Sequence, residues 1–184
     1  MTVNRRKGYP GGLLCGAERP ETFERRNASD VGTVFGQGEE AEKDQADFRI
    51  EIPCDSLRDR EAAKIVVDMV NGKKLTKRTE YIAFSLEAAK ELHRLSPKTP
   101  VYYLNGDLSP KQLKELGFAG LDYNYKVMQK HPEWFVEAKD LKLKINVWTV
   151  NDPQVMEEMI EKRVDFLTTD YPEEVQKQYI CTAE

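Results

Sequence analysis

KINVWTVNDPQVMEEMIEK, residues 144–162, changes its hydrophobic period at the corner around Asn151. As far as Val150 the apolar residues form a short run rich in β-branched and aromatic side chains, as in a buried strand. Beyond the corner, Val155, Met156, Met159 and Ile160 recur at intervals of three and four, the stripe of an amphipathic helix. Pro153 stands in the first helical turn, where its missing N–H is harmless, and Asp152 before it has the chemistry of an N-cap. The stretch reads as one strand, one polar corner and one helix.

Working outward, the same unit recurs from Phe48 onward. The apolar runs are FRIEI, EYIAFS, VYYL, AGLDY, KINVWTV and RVDFLT, and between them lie DREAAKIVVDMVNG, LEAAKELHRL, SPKQLKELG, HPEWFVEAKDL and DPQVMEEMIEK. Pro110, Pro132, Pro153 and Pro172 sit near helix starts, 22, 21 and 19 residues apart. Ser109 joins Asp152 as an expected N-cap, and Gly72 and Gly117 mark helix ends. Strands joined by helical crossovers lie parallel. Six βα units over 48–184 fit either an open parallel sheet or part of an eight-stranded (β/α) barrel. No strand is followed by a Gly-rich phosphate loop, which disfavours a dinucleotide-binding sheet. In a barrel, functional residues gather at the carboxyl ends of the strands, where Glu51, Ser85, Asn105, Trp148 and Asp170 fall. The expected class is α/β, an incomplete (β/α) TIM-barrel-like fold.

Residues 1–47 differ in character, holding seven of the chain's 11 glycines and no sustained helical or strand period. They are expected to be an irregular, poorly ordered or non-native segment, because they offer little apolar surface to offset ordering entropy. The whole chain of 184 residues is 33% charged with a net charge of -4, and its Lys and Arg are mixed with Asp and Glu. A nucleic-acid partner is therefore not expected. No run approaches the length of a membrane span, and no apolar leader follows Met1, so the expected compartment is the cytoplasm. Cys15, Cys54 and Cys181 are too few and too far apart for a disulfide framework or a zinc ribbon.

The blocks FRIEIP, EYIAFS, VYYLNGDLSPKQLKELGFAGLDYNY, HPEWFVEAKDLKLKINVWTVND and VDFLTTDYP together resemble, in order and spacing, the later strands of the glycerophosphodiester phosphodiesterase family. The resemblance runs from about Phe48 to Val175 and is most specific in NVWTVN and FLTTDYP. It implies a (β/α) barrel that hydrolyses glycerophosphodiesters of lipid metabolism to an alcohol and glycerol 3-phosphate. It further implies a divalent cation, Mg or Ca, held by carboxylates, and two histidines as acid and base. Such a metal offsets phosphate charge and lowers the pKa of a bound oxygen nucleophile, while the acid protonates a poor leaving group.

By this resemblance Glu51 matches a metal-binding Glu and Trp148 a pocket Trp that lies against the glycerol of the substrate. Pro53 stands where the family has a phosphate-contacting Lys. The family's first two strands supply a His-Arg-Gly motif, two more metal-binding acids and the second catalytic His. None of these is found here, and Glu21 of AERPETF, which lacks that context, is not carried over. His93 lies within a helix and His131 precedes a helix-starting Pro, so neither matches a catalytic position and no catalytic residue is assigned. The expected protein is a truncated, impaired or inactive phosphoric diester hydrolase. The alternative is a non-catalytic binding or assembly module that self-associates through open sheet edges. Along KINVWTV, strand alternation places Asn146, Trp148 and Val150 on one face and Ile145, Val147 and Thr149 on the other, with the Trp face expected to line the barrel interior.

Overall fold

The computed structural model describes residues 2–5, 48–52, 58–173 and 175. The expectations for 6–47, Pro53 and the three cysteines concern positions outside these residues. The strands are β1 (Thr2–Arg5), β2 (Phe48–Ile52), β3 (Thr79–Ala83), β4 (Val101–Tyr103), β5 (Gly120–Asn124), β6 (Lys144–Trp148) and β7 (Phe166–Thr169). The helices are α1 (Asp59–Gly72), α2 (Leu86–Leu95), α3 (Pro110–Glu115), α4 (Tyr125–Lys130), α5 (Glu133–Asp140) and α6 (Pro153–Glu161).

All six strands expected from Phe48 onward are present, and every pairing is parallel. The order across the sheet is β1-β7-β6-β5-β4-β3-β2. From β2 to β7 this follows the chain without reversal, whereas a doubly wound sheet reverses at a switch point. The order therefore favours the barrel over the open sheet. Curvature is visible in one contact: the Arg49 guanidinium on β2 lies 4.7 Å from the Phe166 ring on β7. Five strand spacings in a flat sheet would hold those strands about 24 Å apart. The strands form a curled half-barrel with helices between them.

Thr2–Arg5 adds a seventh strand inside the segment whose sequence shows no strand period, pairing parallel with β7 in the register Thr2↔Phe166 to Arg5↔Thr169. Four residues are too few for a period of two to stand out. A helix also forms directly after β5, at Tyr125–Lys130, where Asn124 accepts from the Lys126 N–H.

Strand alternation sorts the side chains into two layers. Ile50, Ile52, Tyr81, Ala83, Tyr103, Leu121, Tyr123, Ile145, Val147 and Leu167 join helix residues such as Val66, Leu92, Leu113 and Met156 in the main core. The opposite face carries a small separate cluster of Ile82, Tyr102 and Leu104 with Phe84 and Ala119. Ile145 and Val147 thus face the helices and Asn146 and Trp148 the interior, as expected. Val150 departs from the expected alternation and is fully buried in the helix-side core. The strand ends at Trp148, so the pleat no longer governs Val150, whose N–H donates to the Thr168 carbonyl at 2.9 Å.

Candidate functional site

The interior face and the carboxyl ends of the strands form the candidate site. Glu51 is exposed on the penultimate position of β2, between two buried isoleucines that face the helices. Glu51 therefore belongs to the inner face, opposite Ile82 of β3 in the ladder. Trp148 ends β6, opposite Asn124 of β5. Its indole N–H donates to the Asp122 carbonyl at 2.7 Å, and its ring meets Phe84 edge-on, with centroids 5.8 Å apart and planes at 82°. Phe84 and Trp148 make an apolar corner at the mouth. Phe84 was not singled out from sequence, although its place one residue past β3 on the Ile82 face carries the signal.

Below the mouth lies a polar floor. Arg49 donates to one Glu80 oxygen through two nitrogens at 2.7 and 3.2 Å, and to Asp122 at 3.4 Å. Its guanidinium also lies 5.0 Å from the Tyr102 ring. Asp122 is only 2% exposed and accepts a 2.6 Å bond from Asn146, whose amide nitrogen reaches Thr168 at 3.3 Å. The Tyr102 hydroxyl donates to Glu80 at 3.1 Å. Burial, then the Glu80 charge, raises the Tyr102 pKa far above its ordinary value, so the hydroxyl stays a proton donor.

The rim is tied by side chains. Asn151 donates to the Asp170 carboxylate at 2.7 Å, and its carbonyl oxygen accepts from the Thr169 hydroxyl at 3.1 Å and the Asp170 N–H at 3.0 Å. Thus the corners after β6 and β7 are locked to each other. Asp152 caps α6, accepting from the N–H groups of Gln154 and Val155. Ser85 accepts from the Ala88 N–H and caps α2, and its hydroxyl donates to Asp59.

The structure does not bring the two histidines to this mouth. His93, on α2, packs edge-on against Phe118 and lies beside Gly117, where an added Cβ would stand 2.7 Å from its Nε2. His131 stacks on Trp134 at 4.1 Å and bonds Glu133 at 3.1 Å, at the corner between α4 and α5. Phe118 and Trp134 both pack in the helix-side core, on the far side of the sheet from Trp148.

Hard cations need several oxygen ligands. Among the described residues no group of three or more His, Cys, Asp or Glu could hold a metal ion. Two carboxylates of the polar floor, Glu80 and Asp122, are engaged by Arg49. The described residues alone therefore do not fit a divalent cation at Glu51.

Residues 24–174 match the family model described as the glycerophosphoryl diester phosphodiesterase family. A solved glycerophosphodiester phosphodiesterase from Parabacteroides distasonis is 54% identical, covering 74% of this chain and 58% of its own, with a TM-score of 0.70. A structure described as a putative glycerophosphoryl diester phosphodiesterase from Silicibacter pomeroyi is 24% identical, covering 83% and 55%, at TM-score 0.68. An Oleispira antarctica phosphodiesterase, solved with the product sn-glycerol-3-phosphate, is 19% identical, covering 76% and 57%, at TM-score 0.61. The last two, at that identity, support the fold alone. No curated protein sequence matches. The chain spans less than two thirds of the length of these solved relatives.

Proposed function

This chain belongs to the glycerophosphoryl diester phosphodiesterase family, and from that premise we propose that it carries the glycerol phosphate wall of a phosphodiester hydrolase and turns substrate over poorly by itself. The reaction is addition of water to a glycerophosphodiester, giving an alcohol and glycerol 3-phosphate: water oxygen bonds to phosphorus, the ester bond breaks and the leaving alkoxide takes a proton. The observation that carries the reading is the corner of Trp148 and Phe84 at the carboxyl end of the sheet, with the indole held by its own N–H. With the nitrogen engaged, the indole offers its apolar face, which suits the C–H surface of glycerol.

The rest of the proposal concerns rate. Glu51 lies on the same inner face and in the family role would be a metal ligand, but the other ligands would have to come from outside the described residues. His93 and His131 lie against the helix layer, so neither can exchange a proton with a substrate resting on Trp148. Losing acid–base help typically costs about 10²- to 10⁴-fold. Purified chain supplied with magnesium or calcium is expected not to hydrolyse glycerophosphocholine above the buffer rate. Turnover that survives repurification and disappears in Glu51→Gln would overturn the impaired reading and point to catalytic groups supplied from residues 6–47 or from a partner.

A second reading, a non-catalytic module that self-associates, is supported by β1 and β2 standing at the two ends of the sheet among the described residues. Sedimentation velocity decides it: a concentration-dependent dimer supports association, and a monomer throughout removes it.

A further inference from the structure

Arg49 sits two residues before Glu51 on the same inner face of β2, one pleat deeper in the barrel. Among the described residues, β2 has a ladder only with β3. Arg49 supplies one constraint on the distance of β2 from the strands across the interior. Arg49 touches four other strands: Glu80 on β3, the Tyr102 ring on β4, Asp122 on β5 and the Phe166 ring on β7. The side chain is 16% exposed. A planar guanidinium shared by two carboxylates holds direction as well as distance, which a point charge does less well. Asp122 continues the line, because its carboxylate accepts from Asn146 and its carbonyl accepts the Trp148 indole N–H. One path of polar contacts, 3.4 Å from Arg49 to Asp122 and 2.7 Å from Asp122 to the indole, thus joins the strand of Glu51 to the ring of Trp148 beneath the mouth.

We propose that Arg49 is a positioning residue that, through Asp122, sets the Trp148 wall of the pocket against the Glu51 wall. This rests on the reading of Glu51 and Trp148 as walls of the glycerol phosphate site. The net charge of the trio, one guanidinium against two carboxylates, explains why loss of Arg49 would be felt at the indole. Without it, the part-exposed Glu80 and the buried Asp122 are left as like charges on the inner face, and Asp122 loses one of its partners and must shift. That shift moves the residue whose carbonyl holds the Trp148 nitrogen.

The test uses the full chain carrying Trp134→Phe, so that Trp148 is the only indole. Time-resolved emission anisotropy reads the freedom of that ring, and a glycerol 3-phosphate titration reads the pocket. Arg49→Met is expected to lower the residual anisotropy and weaken binding about fivefold or more. Arg49→Lys, which keeps the charge without the fork, should fall between Arg49→Met and the parent. Adding Asp122→Asn to Arg49→Met should cost little more, since both act on one link. Parent-like anisotropy in a folded Arg49→Met chain, or in Arg49→Lys if the Met variant does not fold, overturns the proposal. So does a double variant whose losses simply add. If the parent itself binds no glycerol 3-phosphate, the pocket reading fails, and anisotropy alone still decides whether Arg49 positions the ring.

Discussion

Trp148 gives its only hydrogen-bond donor to the Asp122 carbonyl, so a ligand would meet its ring surface rather than its N–H, and the ring packs edge-on against Phe84. Much of this residue's setting is legible in KINVWTV, because alternation alone separates Asn146 and Trp148 from Ile145 and Val147. Arg49 is not legible in the same way. Its partners lie 31 and 73 residues away, and nothing local distinguishes it from a solvated arginine. Gly117, at φ +78°, ends the α3 turn in the left-handed region, and its absent Cβ leaves room for His93. Gly117→Ala is expected to cost about 1–2 kcal/mol in urea unfolding, and His93→Ala in the same chain should return the steric part. Full additivity of the two would show that the ring does not press on this position.

The buried tyrosines set a pH limit. Burial pushes the Tyr81 hydroxyl up to about 12 and raises Tyr123 further. A folded-state pKa above the unfolded value gives stability that is whole below the unfolded pKa, about 10, and is lost as pH rises through the folded value. Stability should therefore hold to about pH 10 and fall from there toward pH 12, with the tyrosinate absorbance of Tyr81, Tyr102 and Tyr123 appearing only as the chain unfolds. Three described tyrosines, Tyr81, Tyr102 and Tyr123, ionising near the free value in folded protein would contradict their placement.

Element by element, the helices that carry sequence punctuation are the ones found where the sequence places them. Ser109 and Gln112 form a reciprocal capping box at α3, with Pro110 in the first turn. Ser109→Ala is expected to lower stability by about 1 kcal/mol in chemical denaturation; an unchanged midpoint would mean that the cap is replaced by water without cost. Tyr125–Lys130 and Thr2–Arg5 are the elements the sequence hides. One is a six-residue helix and the other a four-residue strand, each too short for its period to show. The sheet also has a position that tolerates no side chain. A Cβ on Gly120 would stand 2.1 Å from the Lys144 carbonyl oxygen of the neighbouring strand. Gly120→Ala must push β5 away from β6, and hydrogen exchange along Leu121 to Asn124 should accelerate relative to β3. Equal protection in both strands would show that the ladder adjusts without opening.

At the scale of the molecule, the parallel repeat and the barrel sense of the sheet follow from units that recur locally, which is why they can be read from one sequence. The closure of the interior cannot, because it depends on Arg49 meeting Phe166 across the curl. The site divides in the same way: its apolar corner is built from strand ends, whereas no group of three or more metal-ligating side chains occurs among the described residues. Binding without efficient turnover is what the proposed function expects. An apolar wall acting without a cation should hold glycerol phosphate with a dissociation constant in the millimolar range, about 4 kcal/mol. The most direct measurement follows the indole N–H resonance of Trp148 in the Trp134→Phe chain while glycerol 3-phosphate is added. A saturable shift of that single resonance in the millimolar range is expected; a resonance that does not move at tens of millimolar ligand would make Trp148 a core residue and contradict the pocket.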